Sequence, residues 1–177
     1  HRLITQDTLD DPADAGRLRE SDDVNVVDNR DGKLLHQLPS FRELPERLER
    51  LCVFANADSD SSPFVHPVVR AILLHFMIGY DHPFADGNGR TARALFYRSM
   101  ARSGYWLMEF LSISQFLRSA PRQYVQAYLH TETDRNDTTY FVLHQLDIIR
   151  RSIATLHEYL GRKIEEQKEA ESLLIKT

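Results

Sequence analysis

Several features that would mark a particular class of protein are scarce or missing in this 177-residue sequence. It has one cysteine, Cys52, which excludes an intramolecular disulfide and a zinc site built from several cysteines. Basic residues do not exceed acidic ones, because 22 Lys and Arg stand against 26 Asp and Glu, giving a formal net charge of -4. This balance argues against a broad nucleic-acid-binding surface but leaves room for a local cationic site.

Long apolar runs are also absent. The longest strongly apolar stretches, residues 71–78 and 105–111, are far shorter than the roughly 20 residues that a membrane helix requires. No basic and then apolar leader opens the chain, so we expect no membrane partner and a cytoplasmic location. Because the chain starts at His1 rather than Met, we expect a native N-terminus further upstream.

The composition that is present, 42% hydrophobic and 27% charged, is ordinary for a globular domain. We predict one domain over residues 1–165, followed by a polar helical end or stem at 166–177. A β-hairpin is predicted at residues 24–38, where Gly32 permits the turn between two short strands. Helical patterns dominate elsewhere, so the predicted fold is mainly α, a helical bundle with a small hairpin.

The helical patterns give specific expectations. Residues 67–78 are apolar on nearly every face, which predicts a helix at the centre of a bundle. Residues 79–89 are expected to form a loop, with the next helix starting near Arg90, and residues 105–111 are expected to be buried. Asp137 is predicted to cap a long final helix. The apolar stripe of that helix has near-heptad spacing and is expected at Val142, Leu146, Ile149, Ile153, Leu156, Leu160 and Ile164.

One segment, residues 82–93, carries the residues suited to chemistry. A Gly-Asn-Gly turn at 87–89 directly precedes a predicted helix, whose first N–H groups and positive dipole end favour an anion. Arg90 and Arg93 share a face of the first helical turn, and two adjacent guanidinium groups fit an oligophosphate. The neutral Asn88 side chain can donate to a phosphate oxygen without adding charge.

Two further side chains in this segment suit group transfer. Asp86 would repel a phosphate unless a divalent cation joined them, and Mg²⁺ commonly takes one or two protein carboxylates plus phosphate oxygens. His82 can be neutral near pH 7 and accept a proton from an attacking hydroxyl. The residues alone therefore predict metal-assisted phosphoryl or nucleotidyl transfer with a histidine base. No Gly-Lys-Ser/Thr sequence is present, which separates this segment from a Walker A loop.

The pattern His-x-Phe-x-Asp-Gly-Asn-Gly-Arg-x-x-Arg at residues 82–93 resembles the signature of the Fic family at every defined position. A looser resemblance to the Fic helical core covers residues 1–165. The resemblance to the Fic family implies transfer of AMP from ATP to a Tyr, Thr or Ser hydroxyl of a target protein, with release of pyrophosphate. ATP and Mg²⁺ are the cofactors that this resemblance implies.

Carried over by position, the resemblance assigns each residue a role. His82 would deprotonate the target hydroxyl, and Asp86 would hold Mg²⁺. Arg90 would hold phosphates, and Arg93 would hold the γ-phosphate. The residues that would line the anion hole are Gly87, Asn88 and Gly89.

The resemblance also implies partners. The hairpin at 24–38 resembles the family's flap, which docks the target backbone as an added strand. Many members are inhibited by the glutamate of a Ser/Thr-x-x-x-Glu-Gly/Asn motif, which pairs with the second arginine. No glutamate in this sequence is followed by Gly or Asn. We therefore expect either an upstream inhibitory helix or a separate antitoxin contacting Arg93. No nucleic-acid partner is expected, and a homo-oligomer is left open.

Several alternatives remain at this stage. The same fold could use another nucleotide donor or remove AMP, whereas the intact Gly-Asn-Gly-Arg run disfavours the kinase-like Doc branch. A nucleotide-sensing module with little turnover is the second rival, motivated by the polar end after Ile164. His75 is expected to be a core or interface residue. The Tyr124–Tyr128 pair is expected to serve packing, with a place beside the nucleotide left open, and Cys52 is expected to be inert.

Overall fold

The computed structural model is mainly helical, as the sequence predicts. It describes residues 1–24, 26–27, 34–57 and 62–175. The helices in these ranges are α1 (Leu44–Asn56), α2 (Pro67–Asp81), α3 (Asn88–Arg102), α4 (Ile113–Ser119), α5 (Pro121–Thr133) and α6 (Thr139–Ile175). Short 3₁₀ turns lie at Arg2–Ile4, Pro12–Asp14, Phe41–Glu43 and Trp106–Phe110.

Two short strands lie beside the helices, and the second of them is in contact with α5. β1 (Val26–Val27) pairs antiparallel with β2 (Leu34–His36), with an irregular register between Val26 and Val27. The turn expected around Gly32 lies outside the described residues. The role of this segment as a target-docking flap therefore stays a prediction.

Helix α2 lies at the centre of the bundle, as its apolar sequence predicts. It packs against α3, α1 and α6. Phe96 of α3 and Phe141 of α6 are fully buried and belong to the same core cluster as Ile72 and Phe76 of α2. This central helix carries the candidate site at its C-terminal end, so the core directly supports the site.

The loop between α2 and α3 is shorter than predicted. Helix α2 continues through residues 79–81, and α3 already begins at Asn88, so the irregular segment spans only 82–87. Two tertiary contacts explain the longer helix. The Asp81 carboxylate accepts a 2.8 Å bond from Arg47 of α1, and Gly79 packs directly against a side chain of α5.

The expectation that residues 105–111 are buried is wrong. The 3₁₀ turn in this segment directs Met108 inward, and Leu111 is buried beside it. Trp106 and Phe110, in contrast, are 62% and 59% exposed. The hydrophobicity of the segment does not reveal that a tight turn can bury only part of it.

Helix α6 begins as predicted, and its apolar stripe is only partly buried, with Val142, Ile149 and Leu156 packed on the core. Asp137 caps it by accepting a 2.9 Å bond from the Thr139 N–H. Much of the predicted stripe is exposed: Leu146, Ile153, Leu160 and Ile164. The buried residues of α6 are Phe141, Gln145, Ile148, Ile149 and Ser152. The buried face overlaps the stripe at Ile149 but also includes two polar side chains, Gln145 and Ser152, which apolar spacing cannot indicate.

Every helix in the described part of the chain is too short or too polar to cross a bilayer. The cytoplasmic location stays a prediction.

Candidate active site

His82 lies at the C-terminal end of α2 in a left-handed backbone conformation, with φ 44° and ψ 57°. Its N–H donates to the Ile78 carbonyl at 3.1 Å, which ends the helix. Its ring Nδ1 lies 3.2 Å from the Gly79 carbonyl. Because a carbonyl can only accept, Nδ1 carries the proton and Nε2 keeps a free lone pair. The fold thus selects the tautomer that a general base needs.

The electrostatic surroundings keep His82 neutral. Burial is the main cause that lowers its pKa below the ordinary 6.5, and electrostatic interactions with His36 and Arg19 act in the same direction. The bond to Gly79 and the carboxylate of Asp86 oppose this shift. The net direction favours the unprotonated ring near pH 7, in which a proton can be accepted.

Asn88 holds the loop closed from inside. Its Oδ1 accepts the Phe84 N–H at 3.0 Å, and its Nδ2 donates to the Phe84 carbonyl at 2.8 Å. The residue is 3% exposed. Both the amide oxygen and the amide nitrogen therefore bond within the protein, and donation from this side chain to a phosphate stays a prediction. The backbone N–H of Asn88, in the first turn of α3, remains available for the predicted anion hole.

The N-terminus of α3 presents free N–H groups, as predicted. Gly87 takes a positive φ of 82°, which a residue with a side chain adopts only with strain. The first bond that closes the helix runs from the Thr91 N–H to the Gly87 carbonyl at 2.9 Å. Within the described residues, the N–H groups of Asn88, Gly89 and Arg90 have no acceptor. These donors form a potential anion site.

Asp86 and Arg90 pair with each other at the outer edge of the loop. Arg90 Nη2 lies 2.8 Å from Asp86 Oδ2, and the two side chains are 31% and 65% exposed. Arg90 also donates to the Thr8 hydroxyl, and Asp86 Oδ1 accepts from the Gly87 N–H. The predicted metal ligand and the first phosphate-binding arginine are therefore adjacent and accessible to solvent.

Arg93 lies beside the same helix end and is half-buried. Its Nη1 comes within 3.1 Å of the position that a Cβ on Gly89 would take. Among the described residues it has no carboxylate or hydrogen-bond partner. Its charge is nevertheless felt in the core, since it helps to lower the pKa of His75 and opposes the rise in the pKa of Tyr124 that burial causes. A partly buried cation without an anion indicates a place for one.

A cavity of about 160 Å³ connects His82 to the start of α3. Its lining residues are His36, Gly79, His82, Gly89, Ala92, Tyr124, Val125 and Tyr128. The two tyrosine hydroxyls lie 3.2 Å apart, and Tyr124 also bonds to His75 at 3.0 Å. The tyrosine pair thus packs in the core and forms one cavity wall.

His75 itself is a core residue, as expected. It is fully buried, and burial, with Arg93 and His144 adding to it, lowers its pKa to about 3. Cys52 is exposed, and its expected inertness stays a prediction.

Sequence reasoning missed two residues that support the loop. Arg19 donates from Nε to the His82 carbonyl at 3.0 Å and from its backbone N–H to the Pro83 carbonyl at 2.9 Å. His36 donates from Nε2 to the Tyr80 carbonyl at 2.7 Å. Neither has a sequence signal, because Arg19 lies in a polar, acidic stretch and His36 lies in a short strand far from the signature.

Comparison with known proteins agrees with this geometry. A family model described as the Fic/DOC family matches residues 1–100. Protein adenylyltransferase fic-1 of Caenorhabditis elegans is 36% identical over 95 residues, which cover 54% of this chain and 17% of that protein. Protein adenylyltransferase Fic of Drosophila virilis is 39% identical over 70 residues, covering 40% of this chain and 14% of that protein.

The fold has a matching relative among solved structures. A Fic family protein from Desulfovibrio desulfuricans G20 superimposes with a TM-score of 0.70 and 25% identity, covering 90% of this chain and 45% of that chain. The chain spans less than a fifth of the length of the two curated relatives. The family model covers more than half of the sequence and includes the whole signature at residues 82–93. The chain therefore belongs to the Fic/DOC family.

Proposed function

We propose that the chain is a protein adenylyltransferase, which transfers AMP from ATP to a Tyr, Thr or Ser hydroxyl of a target protein. The observation that carries the proposal is the arrangement around one loop. A neutral histidine with a free Nε2 stands at one end, and a helix N-terminus with two arginines stands at the other. The names of the curated relatives support the same activity.

The proposed reaction assigns His82 the proton. Its Nε2 accepts the proton of the target hydroxyl while the hydroxyl oxygen attacks the α-phosphorus. A new oxygen–phosphorus bond forms, the bond to the leaving oxygen breaks, and pyrophosphate departs. A positioned general base of this kind contributes about 10²–10⁴ in rate.

Arg90, Arg93 and the free N–H groups of α3 are proposed to bind the phosphates. Arg93 is the more informative residue because it has no internal partner in the described residues. Several donors fixed in place around a polyphosphate stabilise charge and align the α-phosphorus with the attacking oxygen. Arg90 reaches the phosphates by leaving its contact with Asp86.

Asp86 is proposed to hold Mg²⁺. Its donor set fits this ion, since it is an exposed carboxylate at the phosphate-binding end of the loop. No cluster of three or more His, Cys, Asp or Glu occurs in the described residues. The remaining ligands would therefore be phosphate oxygens and water. When bound, the ion neutralises phosphate charge.

Further partners stay proposals. The target backbone would dock along the segment 24–38, which includes β1 and β2. An acidic side chain from an upstream inhibitory helix or an antitoxin would compete with phosphate for Arg93.

The test uses ATP labelled at either the α- or the γ-phosphate, Mg²⁺ and cell extract. We expect α-label on protein with wild type and a loss of about 10²-fold or more with His82→Ala. His157→Ala is the matched control, because His157 is exposed on α6 and outside the loop. It should label like wild type.

Other outcomes separate the alternatives. Protein that carries only γ-label would indicate kinase chemistry. Nucleotide binding by calorimetry without label on any protein would favour a nucleotide-sensing module. Equal labelling by wild type and His82→Ala would show that His82 is not the general base. Stronger labelling from UTP than from ATP would show that UTP is the nucleotide donor.

A further inference from the structure

Arg19 is the most fully bonded charged side chain near the loop. Its side chain is 1% exposed. Nε donates to the His82 carbonyl at 3.0 Å, and Nη1 donates to the Ser21 carbonyl at 2.9 Å and to Asp22 Oδ1 at 2.8 Å. Nη2 donates to the Pro39 carbonyl. The charged side chain is therefore buried with most of its donors used, and three of its acceptors are backbone carbonyls.

The acceptors of Arg19 belong to different parts of the chain. His82 lies in the candidate catalytic loop, and Pro39 lies just after β2 on the segment that leaves the strand pair. Asp22 strengthens the second connection, because its carboxylate also accepts the Phe41 N–H at 2.7 Å and the Ser40 hydroxyl at 3.1 Å. One guanidinium thus joins the base-bearing loop to the exit of the strand pair.

The atom that Arg19 contacts matters for the base. His82 has a left-handed backbone, which is strained for a residue with a side chain and persists only where neighbours hold it. Arg19 holds it through two successive carbonyls: the side-chain Nε donates to that of His82, and the backbone N–H donates to that of Pro83. The ring direction is linked to this backbone, because Nδ1 contacts the Gly79 carbonyl at 3.2 Å in this left-handed conformation.

We propose that Arg19 is a positioning residue, which fixes the His82 backbone so that Nε2 faces the attacking hydroxyl and couples this geometry to the exit of the strand pair. The inference rests on the proposed function, since it concerns the base of that reaction. Arg19 does not touch the phosphate-binding residues. Its loss should therefore impair the proton-transfer step and leave nucleotide binding intact.

Lysine cannot replace arginine here. A guanidinium carries five N–H donors in a rigid plane, and four of them serve four acceptors in three directions. An ammonium group keeps the charge but is a single point with three donors. Arg19→Lys therefore keeps the positive charge of the side chain and removes the planar arrangement of its donors, so it distinguishes the effects of the two.

The experiment compares Arg19→Lys, Asp22→Asn and wild type, with Arg17→Gln as the matched control. Arg17 lies two positions away, and its side chain is 58% exposed in an ion pair with Glu20. For Arg19→Lys we expect ATP affinity by calorimetry within about twofold of wild type and kcat lower by about 10- to 100-fold. Asp22→Asn should lower kcat less, and Arg17→Gln should leave it unchanged.

A second readout does not depend on activity. In ¹⁵N-histidine NMR spectra, wild-type His82 should show one tautomer, with the proton on Nδ1. Arg19→Lys should show a mixture of tautomers, because the Gly79 bond is no longer held. If Arg19→Lys does not fold, Asp22→Asn tests the proposal instead. It should also lower kcat and give a mixture of His82 tautomers in the NMR spectrum.

The outcomes are distinct. If wild type transfers no label while the tautomer changes in the variant, the proposed function fails and the positioning role of Arg19 stands. If wild type transfers label while Arg19→Lys keeps both its kcat and its tautomer, the positioning role is overturned. Equal losses of ATP affinity and kcat would also overturn it, because they indicate a general structural role.

Discussion

The segment from His82 to Arg90, which comprises the loop between α2 and α3 and the first turn of α3, has an inner and an outer half that are built differently. The inner half comprises His82, Phe84 and Asn88, which are half-buried or buried and bond to backbone groups. The outer half comprises Asp86 and Arg90, which are more exposed and pair with each other at 2.8 Å. This short segment therefore has one side fixed by hydrogen bonds to the backbone and another side exposed to solvent.

This difference shows which parts of the site exist before a ligand binds. Buried hydrogen bonds are expensive to break, because each lost partner leaves a desolvated group. An exposed ion pair contributes only about 0–1 kcal/mol and rearranges easily. The base is thus fixed in advance, whereas the phosphate and metal side is free to change partners.

The largest effect on stability is expected from Asn88→Ala. This change leaves the Phe84 N–H and carbonyl unpaired in a buried place, so we expect unfolding free energy to fall by about 2–4 kcal/mol. Asp86→Ala, in the outer half, should change it by less than about 1 kcal/mol. Urea denaturation of both variants measures the difference, and similar losses would contradict the distinction between the two halves.

A smaller loss is expected from Gly79→Ala, which tests the support beneath the base. A Cβ at this position would lie 2.1 Å from the Tyr128 hydroxyl oxygen, so the side chain or the helix must move. We expect a loss of about 1–3 kcal/mol in unfolding free energy. Adding Tyr128→Phe should restore part of it, measured as coupling in a double-mutant cycle. Strict additivity of the two changes would show that the contact is not the cause.

Asp86→Asn should alter binding more than stability. In wild type we expect Mg²⁺ to increase ATP affinity, and in the variant we expect this increase to vanish. Without Mg²⁺ the variant should bind ATP more tightly by at most about 1 kcal/mol, since a repulsive carboxylate is removed and Arg90 is released. Calorimetry with and without Mg²⁺ measures both effects. An undiminished gain from Mg²⁺ would exclude Asp86 as its ligand.

The smallest effect concerns pH. Because burial lowers the pKa of His82, the unprotonated base persists at lower pH than for an ordinary histidine. Transfer activity should therefore be retained above pH 6.5, with the midpoint of the acid limb of kcat/KM below that value. Asp86→Asn should shift the midpoint further down, because the carboxylate of Asp86 raises the pKa of His82. A midpoint above 6.5 would contradict the environment described for the base.

Local sequence was sufficient to predict the central helix and the existence of the loop. The apolar pattern of residues 67–78 identifies α2, and glycine beside asparagine before a helix indicates an anion site. The two bonds between the Asn88 side chain and the backbone of Phe84 could not be predicted, because local sequence does not report how the loop turns back toward the helix.

The support for the loop was invisible for a different reason. Arg19 contacts His82 across 63 positions of sequence, and no local pattern reports a bond between a side chain and a distant carbonyl. The exposed face of α6 shows the same limit. Apolar spacing located a stripe, while burial of Gln145 and Ser152 depended on how the helix docks.

The two helices that flank the loop meet with opposite ends, and this sets the direction of the local electric field. The last turn of α2 offers carbonyl groups, and those of Ile78, Gly79 and Tyr80 are taken by His82 and His36. The first turn of α3 offers N–H groups. In the proposed reaction, the proton of the target hydroxyl would move toward His82 at the negative end of α2. The negative charge that develops on the phosphate would face the positive end of α3. The backbone dipoles of α2 and α3 therefore favour opposite charges at the two ends of the loop.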